Sequence, residues 1–235
     1  MQQRSWPDSG TRATVYSFRI MKKAVILAQG NYPTHPYPLH ILHTAPFLIC
    51  TDGAVNDLGD VEPDLIIGDL DSLSGPLKEK YADRLVCDSC EETNDLTKAV
   101  TYCHTHGFRD ITILGATGLR EDHTLGNISL LGIYAHLSET VRMVTDHGIF
   151  LVFSKGQSDP DGFIRVIIPC EPGNPVSFFA LDPRMQLTAS GVRYPVEKVV
   201  FDAFWKASLN RCTGTNLYLG FRNGPLLVYL PHPTL

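Results

Sequence analysis

The chain has 235 residues, 43% of them hydrophobic and 19% charged, which supplies apolar material for one large or two small cored domains and argues against a disordered protein. Lys and Arg number 20 against 25 Asp and Glu, a net charge of −5, so there is no basic excess to neutralise phosphate backbones and no nucleic-acid partner is expected. No apolar run approaches the ~20 residues of a membrane helix, and the N-terminal stretch lacks the apolar centre of a secretory signal. The expectation is a soluble cytoplasmic protein with no membrane partner.

Residues 1–21 are polar and aperiodic and read as a disordered extension. From residue 22 to 153, short apolar runs alternate with helical stretches. The runs are Ala24–Ala28, Phe47–Cys50, Leu65–Ile67, Ile111–Leu114 and Val141–Val144. Such runs predict strands buried on both faces, and their alternation with helices at Asn94–His106 and Asp122–Leu137 predicts an α/β, Rossmann-like, mostly parallel sheet. The Pro-rich stretch His35–His43 reads as a solvent-facing loop. Cys87-x-x-Cys90 followed by Cys103 and His106 has the look of a zinc site, but a helix would carry Cys103 roughly 13 Å from its start, too far for four ligands to converge. From residue 154 to 235, Pro and Gly recur and β-rich stretches follow closely at Phe163–Ile168, Val176–Leu181, Leu217–Phe221 and Leu226–Leu230, which predicts a C-terminal antiparallel β-sandwich domain.

Several carboxylates fall where a predicted strand runs out: Asp52 after the second run, Asp69 and Asp71 after the third. In open α/β sheets the ligand crevice lies at those ends. An extended backbone would point Asp69 and Asp71, at i and i+2, to the same side, and two hard oxygen donors so placed suit Mg²⁺ bridging substrate phosphates. Asp95, at the start of the Asn94 helix, either caps it or joins the acidic group. GATGLREDHTLGN sets Gly115 and Gly118 after a strand, with Arg120, Asp122 and His123 at a helix start, a pattern suited to phosphate.

TDGAVNDL, PDLIIGDLDSL, TNDLTKAV and GATGLREDHTLGN, in this order and at these separations, resemble the motifs of the thiamine pyrophosphokinase family, and GVRYPV and Asn210 continue the likeness into the second domain. The resemblance implies a homodimeric enzyme that binds ATP and thiamine and yields thiamine diphosphate and AMP with Mg²⁺. It implies Asp52, Asp69, Asp71 and Asp95 as metal positions and Asp71, Asp95 and Arg120 as catalytic. Asp52, Asn56, Gly115, Arg120, Asp122 and His123 would serve nucleotide and phosphate, and Tyr194, Ser208 and Asn210 would serve thiamine. Glu91, Asn94, Leu119 and Leu209 depart from the pattern, standing where the family commonly has Gln, Thr, Gly and Ser. A Mg²⁺-dependent phosphohydrolase using the same aspartates, and a catalytically weak thiamine or nucleotide sensor, are the alternatives.

Overall fold

The computed structural model describes residues 21–156, 158–197 and 199–233; the extension expected at 1–21 lies, apart from Met21, outside them. Among the described residues two compact units emerge, one from residues 21–152 and from Leu227 onward, the other from Phe153 to Leu226. Among the described residues no helix is long and apolar enough to cross a membrane.

In chain order the first unit comprises β1 (Lys22–Leu27), α1 (Pro36–His43), β2 (Leu48–Thr51), a 3-10 turn (Asp52–Asp57), β3 (Leu65–Gly68), α2 (Gly75–Lys80) and β4 (Leu85–Cys87). It continues through α3 (Asp95–Thr105), β5 (Phe108–Leu114), α4 (Glu121–Leu137), β6 (Thr140–Thr145) and β7 (Gly148–Phe153), and a late strand, β13 (Leu226–Leu230), returns to it. The strand order is β4-β3-β2-β1-β5-β6-β7-β13. Strands from β4 to β6 run parallel, and β7 runs antiparallel to β6. Every residue of β2 and β3 is buried, which is why these strands read as unbroken apolar runs.

Register decides where chemistry can gather. Leu27 of β1 lies beside Cys50 of β2 and Leu114 of β5, while Gly68 of β3 lies beside Cys87 of β4. The carboxyl ends of these strands therefore finish along one edge. The chain lays down β1 to β4 on one side and then sets β5 on the other side of β1, so the topological switch point falls between β1 and β5. The two loops are stitched there by backbone bonds: Ala28 N to Leu114 O at 2.9 Å, Gly30 N to Gly115 O at 2.5 Å and Asn31 N to Thr117 O at 2.8 Å.

Helices α3 and α4 are tied to each other as well as to the sheet. Leu96, Ala99, Val100 and Cys103 of α3 and Leu131, Tyr134 and Ala135 of α4 are buried, and the Tyr134 hydroxyl lies 2.7 Å from Thr97 Oγ1. The stretch expected as a solvent-facing loop, His35–His43, is instead α1. Pro36 occupies its first turn, where a missing N–H costs nothing, and His35 Nδ1 caps it by accepting from Tyr37 N at 3.1 Å. Leu42 is buried beneath it.

The second unit holds β8 (Ile164–Pro169), β9 (Pro175–Ala180), β10 (Gln186–Ser190), β11 (Ala207–Arg211) and β12 (Asn216–Arg222). β10, β12 and β8 form a separate antiparallel sheet, and β9 pairs antiparallel with β11, whose register shifts between Ala207 and Asn210.

The stitched switch point makes a falsifiable contrast between two glycines. A Cβ on Gly30 would lie 2.4 Å from the Gly115 carbonyl oxygen, whereas one on Gly126, inside α4, meets nothing within 4 Å. Gly30→Ala should lower stability by about 1–3 kcal/mol through overpacking against backbone, and Gly126→Ala should raise it by about 1 kcal/mol through helix propensity. Urea unfolding curves of the two variants should move in opposite directions.

Candidate active site

Asp52 is the first residue beyond β2, and its side chain is turned into the sheet edge so that only 2% of the residue is exposed. Oδ1 accepts from Gly53 N at 2.7 Å, while Oδ2 is buried with no hydrogen-bond partner. Space for this carboxylate exists because the neighbouring strand ends in glycine: a Cβ on Gly68 would stand 2.7 Å from Asp52 Cγ. Burial pushes the Asp52 carboxyl above the usual range; the Gly53 N–H opposes this, and the charges of Asp95 and Asp69 add to the rise.

Asp69 and Asp71 come together by a route different from the extended one that their spacing suggests. Leu70 between them takes a left-handed conformation, φ +67°, and Asp71 N donates back to Asp69 Oδ1 at 3.0 Å. A left-handed leucine is costly, and here its side chain is packed against the buried core beneath the sheet edge. The Asp71 N–H holds the Asp69 carboxyl below its usual range. Ligand oxygens of Asp52, Asp69 and Asp71 all lie within 4.8 Å of one another. Three carboxylates, one with an unpartnered buried oxygen, make a donor set suited to a hard divalent cation.

Asp95 stands apart from that trio. Asn94 caps α3, its Oδ1 accepting from Thr97 N at 2.9 Å, and this places Asp95 on the first turn, where Lys98 Nζ donates to Asp95 Oδ1 at 2.9 Å. Burial would push the Lys98 ammonium down, but the Asp95 hydrogen bond and the charges of Asp95, Asp88 and Asp69 outweigh it and keep the group protonated. Lys98 was not expected from the sequence, although its i, i+3 spacing from Asp95 is a legible signal.

The loop after β5 is held by its own side chains. Arg120 forms a two-pronged pair with Asp122, Nε to Oδ1 at 3.0 Å and a terminal nitrogen to Oδ2 at 2.5 Å, which with the His123 N–H lowers the Asp122 carboxyl to about 2. Gly115 has φ +62°, a conformation suited to glycine, and Gly118 N donates to Thr124 Oγ1 at 3.1 Å. Asn56 donates to Gly53 O at 3.0 Å and closes the turn that carries Asp52. Gln29 and Asn31, past the end of β1, also border these loops: a Cβ on Gly53 would collide with the Gln29 amide at 2.1 Å, and one on Gly118 with the Asn31 amide at 2.2 Å. Their position at a strand's carboxyl end was the available signal for them.

In the second unit, Asn210 is 3% exposed and its amide bonds the Tyr194 backbone, accepting from Tyr194 N at 3.0 Å and donating to Tyr194 O at 2.7 Å, while Oδ1 also accepts from Arg211 N at 2.9 Å. Tyr194 itself is exposed, with the Arg193 guanidinium 5.6 Å from its ring centre. Ser208 Oγ donates to Trp205 O at 2.6 Å. Asn210 thus orients the Tyr194 segment.

A parallel α/β unit thus carries an acidic crevice along the carboxyl ends of its strands, the edge at which open α/β sheets take their ligands. Residues 39–155 match the family model described as the catalytic domain of thiamin pyrophosphokinase, and the chain belongs to the thiamin pyrophosphokinase family through that domain. It is 29% identical over 133 residues to thiamin pyrophosphokinase 1 of Caenorhabditis elegans, covering 52% of this chain and 54% of that protein. To thiamine pyrophosphokinase 1 of Oryza sativa subsp. japonica it is 30% identical over 131 residues, 44% of this chain and 49% of that protein. The chain thus spans about half the length of the curated relatives it matches. The crystal structure of the thiamine pyrophosphokinase from Bacillus subtilis shares the fold, with a TM-score of 0.73 at 22% identity over 91% of this chain and 100% of that one. For the thiamin pyrophosphokinase from Candida albicans the TM-score is 0.69 at 18% identity, covering 94% of this chain and 96% of that one.

Two expected outcomes follow from these contacts. Because burial raises the Asp52 pKa, ionising it destabilises the metal-free fold as pH rises from the usual carboxylate range through the raised value. Asp52→Asn should therefore raise the melting temperature at neutral pH without metal, by about 2–4 °C, and abolish any stabilisation by added Mg²⁺; differential scanning calorimetry with and without the cation checks both halves. Asn210→Ala strands the Tyr194 N–H and carbonyl and should cost about 1–3 kcal/mol of stability, read as a lower urea midpoint.

Proposed function

We propose that this chain transfers the diphosphoryl group of ATP to thiamine, releasing thiamine diphosphate and AMP, and that it works in the cytoplasm as a homodimer. The observation that carries the reading is the convergence of Asp52, Asp69 and Asp71 with one Asp52 oxygen buried and unpartnered, in a domain of this family. Those three residues would hold Mg²⁺, which when bound supplies neutralisation of charge on the phosphate oxygens.

The remaining residues divide the work of an in-line displacement. Asp95, at the start of α3, would orient the thiamine hydroxyl, and Asp95 or Asp71 would accept its proton. Arg120 grips the transferred group. Its pair with Asp122 is solvent-exposed, with side chains 67% and 62% exposed, and an exposed pair exchanges one anion for another at little cost. Tyr194, held by Asn210, offers an aromatic face to the thiamine cation, and Ser208 lies on the neighbouring strand β11.

Incubation with thiamine, ATP and Mg²⁺ should yield AMP and thiamine diphosphate in equal amounts. Thiamine monophosphate with ADP would reject the diphosphoryl transfer, thiamine-independent phosphate release would make the protein a hydrolase, and binding without product would make it a sensor. Asp71→Asn removes a charge without changing shape; it should melt like the wild type yet lose most turnover.

A further inference from the structure

Two of the chain's six cysteines meet in the second unit, and nothing in the proposed chemistry uses them. The turn after β8, residues 170–174, and the turn after β11, residues 212–215, are laced together by their backbones. Cys170 N donates to Thr215 O at 3.0 Å, Cys212 N to Asn174 O at 2.9 Å and Gly173 N to Cys212 O at 2.8 Å. Cys170 thus opens one turn and Cys212 the other. Their thiols are in hydrogen-bond contact, and the Cys170 thiol also donates to Gly214 O at 3.2 Å. Cys170 is partly exposed, whereas Cys212 is 2% exposed. An accessible thiol backed by a buried one suits thiol–disulfide exchange: the first takes up a disulfide from solution and the second resolves it. Burial and the Cys170 thiol push the Cys212 thiol up to about 12, so Cys212 does not start an exchange. Cys212 also belongs to the lacing that holds the Tyr194 segment. It forms a β-bridge with Val192, its neighbours Arg211 and Thr213 bond Arg193 and Gly191 through their backbones, and Asn210, two residues earlier, grips the backbone of Tyr194.

We propose that Cys170 and Cys212 are a redox-sensitive pair that closes to a reversible disulfide by exchange with a low-molecular-weight disulfide, and that closure displaces the Tyr194 segment and weakens thiamine binding. The effect on thiamine rests on the reading of Tyr194 as its contact; the disulfide does not. Cys170, as its thiolate, attacks one sulfur of the disulfide RSSR, forming a mixed disulfide and releasing RS⁻. The Cys212 sulfur, its proton lost to water, then attacks the Cys170 sulfur and expels the second RS⁻. Two protein thiols are oxidised by two electrons, RSSR is reduced, and the two protons end on the two released RSH. In a reducing compartment such a bond is transient, so its formation registers oxidation. Closure draws Cys212 toward Cys170 and pulls on the backbone bonds through which the end of β11 holds residues 191–194.

The test treats the full chain with hydroxyethyl disulfide, a small neutral member of that class. Cys87 and Cys90 are exposed, so a double variant, Cys87→Ser with Cys90→Ser, leaves Cys170 as the accessible thiol beside the buried Cys50, Cys103 and Cys212. Peptide mapping without reduction should find Cys170 joined to Cys212 in both the wild type and the double variant, and dithiothreitol should reverse it. Oxidation of the double variant should raise its KM for thiamine about fivefold or more and leave its KM for ATP within about twofold. Adding Cys170→Ser should keep both KM values at those of the reduced double variant and abolish the response to the oxidant. In the double variant, a lasting mixed disulfide on Cys170 with Cys212 still a thiol, or a linkage that leaves Cys170 out, would overturn the site. A Cys170–Cys212 disulfide that leaves the thiamine KM unchanged would overturn its effect on the Tyr194 segment. A chain that makes no thiamine diphosphate would reject the reaction, and the mapped linkage would still decide the site.

Discussion

A carboxylate sealed from water with one oxygen unpartnered is expensive, and much of the crevice is arranged around that expense at Asp52. The glycine ending β3 leaves room for the group, the Gly53 N–H takes one oxygen, and the Asn56 side chain closes the turn that aims it. Asp69 and Asp71 bring further negative charge to the same place, which no arrangement of uncharged neighbours would favour. Lys98 is the protein's own partial answer, and a bound cation would complete it. The site is thus built at a deficit that a positively charged ligand would remove.

Strain is placed at the same points. Four described non-glycine residues have positive φ, and three of them are leucines: Leu70 between the two aspartates, Leu119 in the loop after β5 and Leu209 beside Asn210. Leu70 is offset by packing against the core, but Leu119 and Leu209 are 72% and 81% exposed and gain no such burial. Two of the three stand where the family pattern commonly has smaller residues. These departures from local preference coincide with the loops of the candidate site, where folding rules commonly give way to another requirement.

Legibility in the sequence followed the physics of burial. Strands covered on both faces must be apolar throughout, so β2 and β3 and the aspartates after them were readable, and the Asn94 cap and Gly107 bounded α3. Helix α1 was hidden because its prolines read as breakers, although first-turn prolines favour a helix. The Asp69–Asp71 geometry was reached for another reason than its spacing offered, since nothing in a leucine announces a left-handed backbone. Lys98 and Asn210 look like surface or ligand-contacting residues until their burial and their partners, Asp95 and the Tyr194 backbone, are known. Both depend on tertiary neighbours that a single sequence does not reveal.

The return of the chain to the α/β sheet at β13 has a consequence for how the protein is made. β13 borders β7, and its first three residues are fully buried, so the sheet has an uncovered edge until Leu226–Leu230 has been synthesised. More than seventy residues, those of the second unit, separate β7 from the strand that covers it. A ribosome adding ~5–20 residues per second exposes that edge for several seconds. During that interval β7 is a hydrogen-bonding template open to any passing strand, a vulnerability set by the order of synthesis with no residue of the crevice involved.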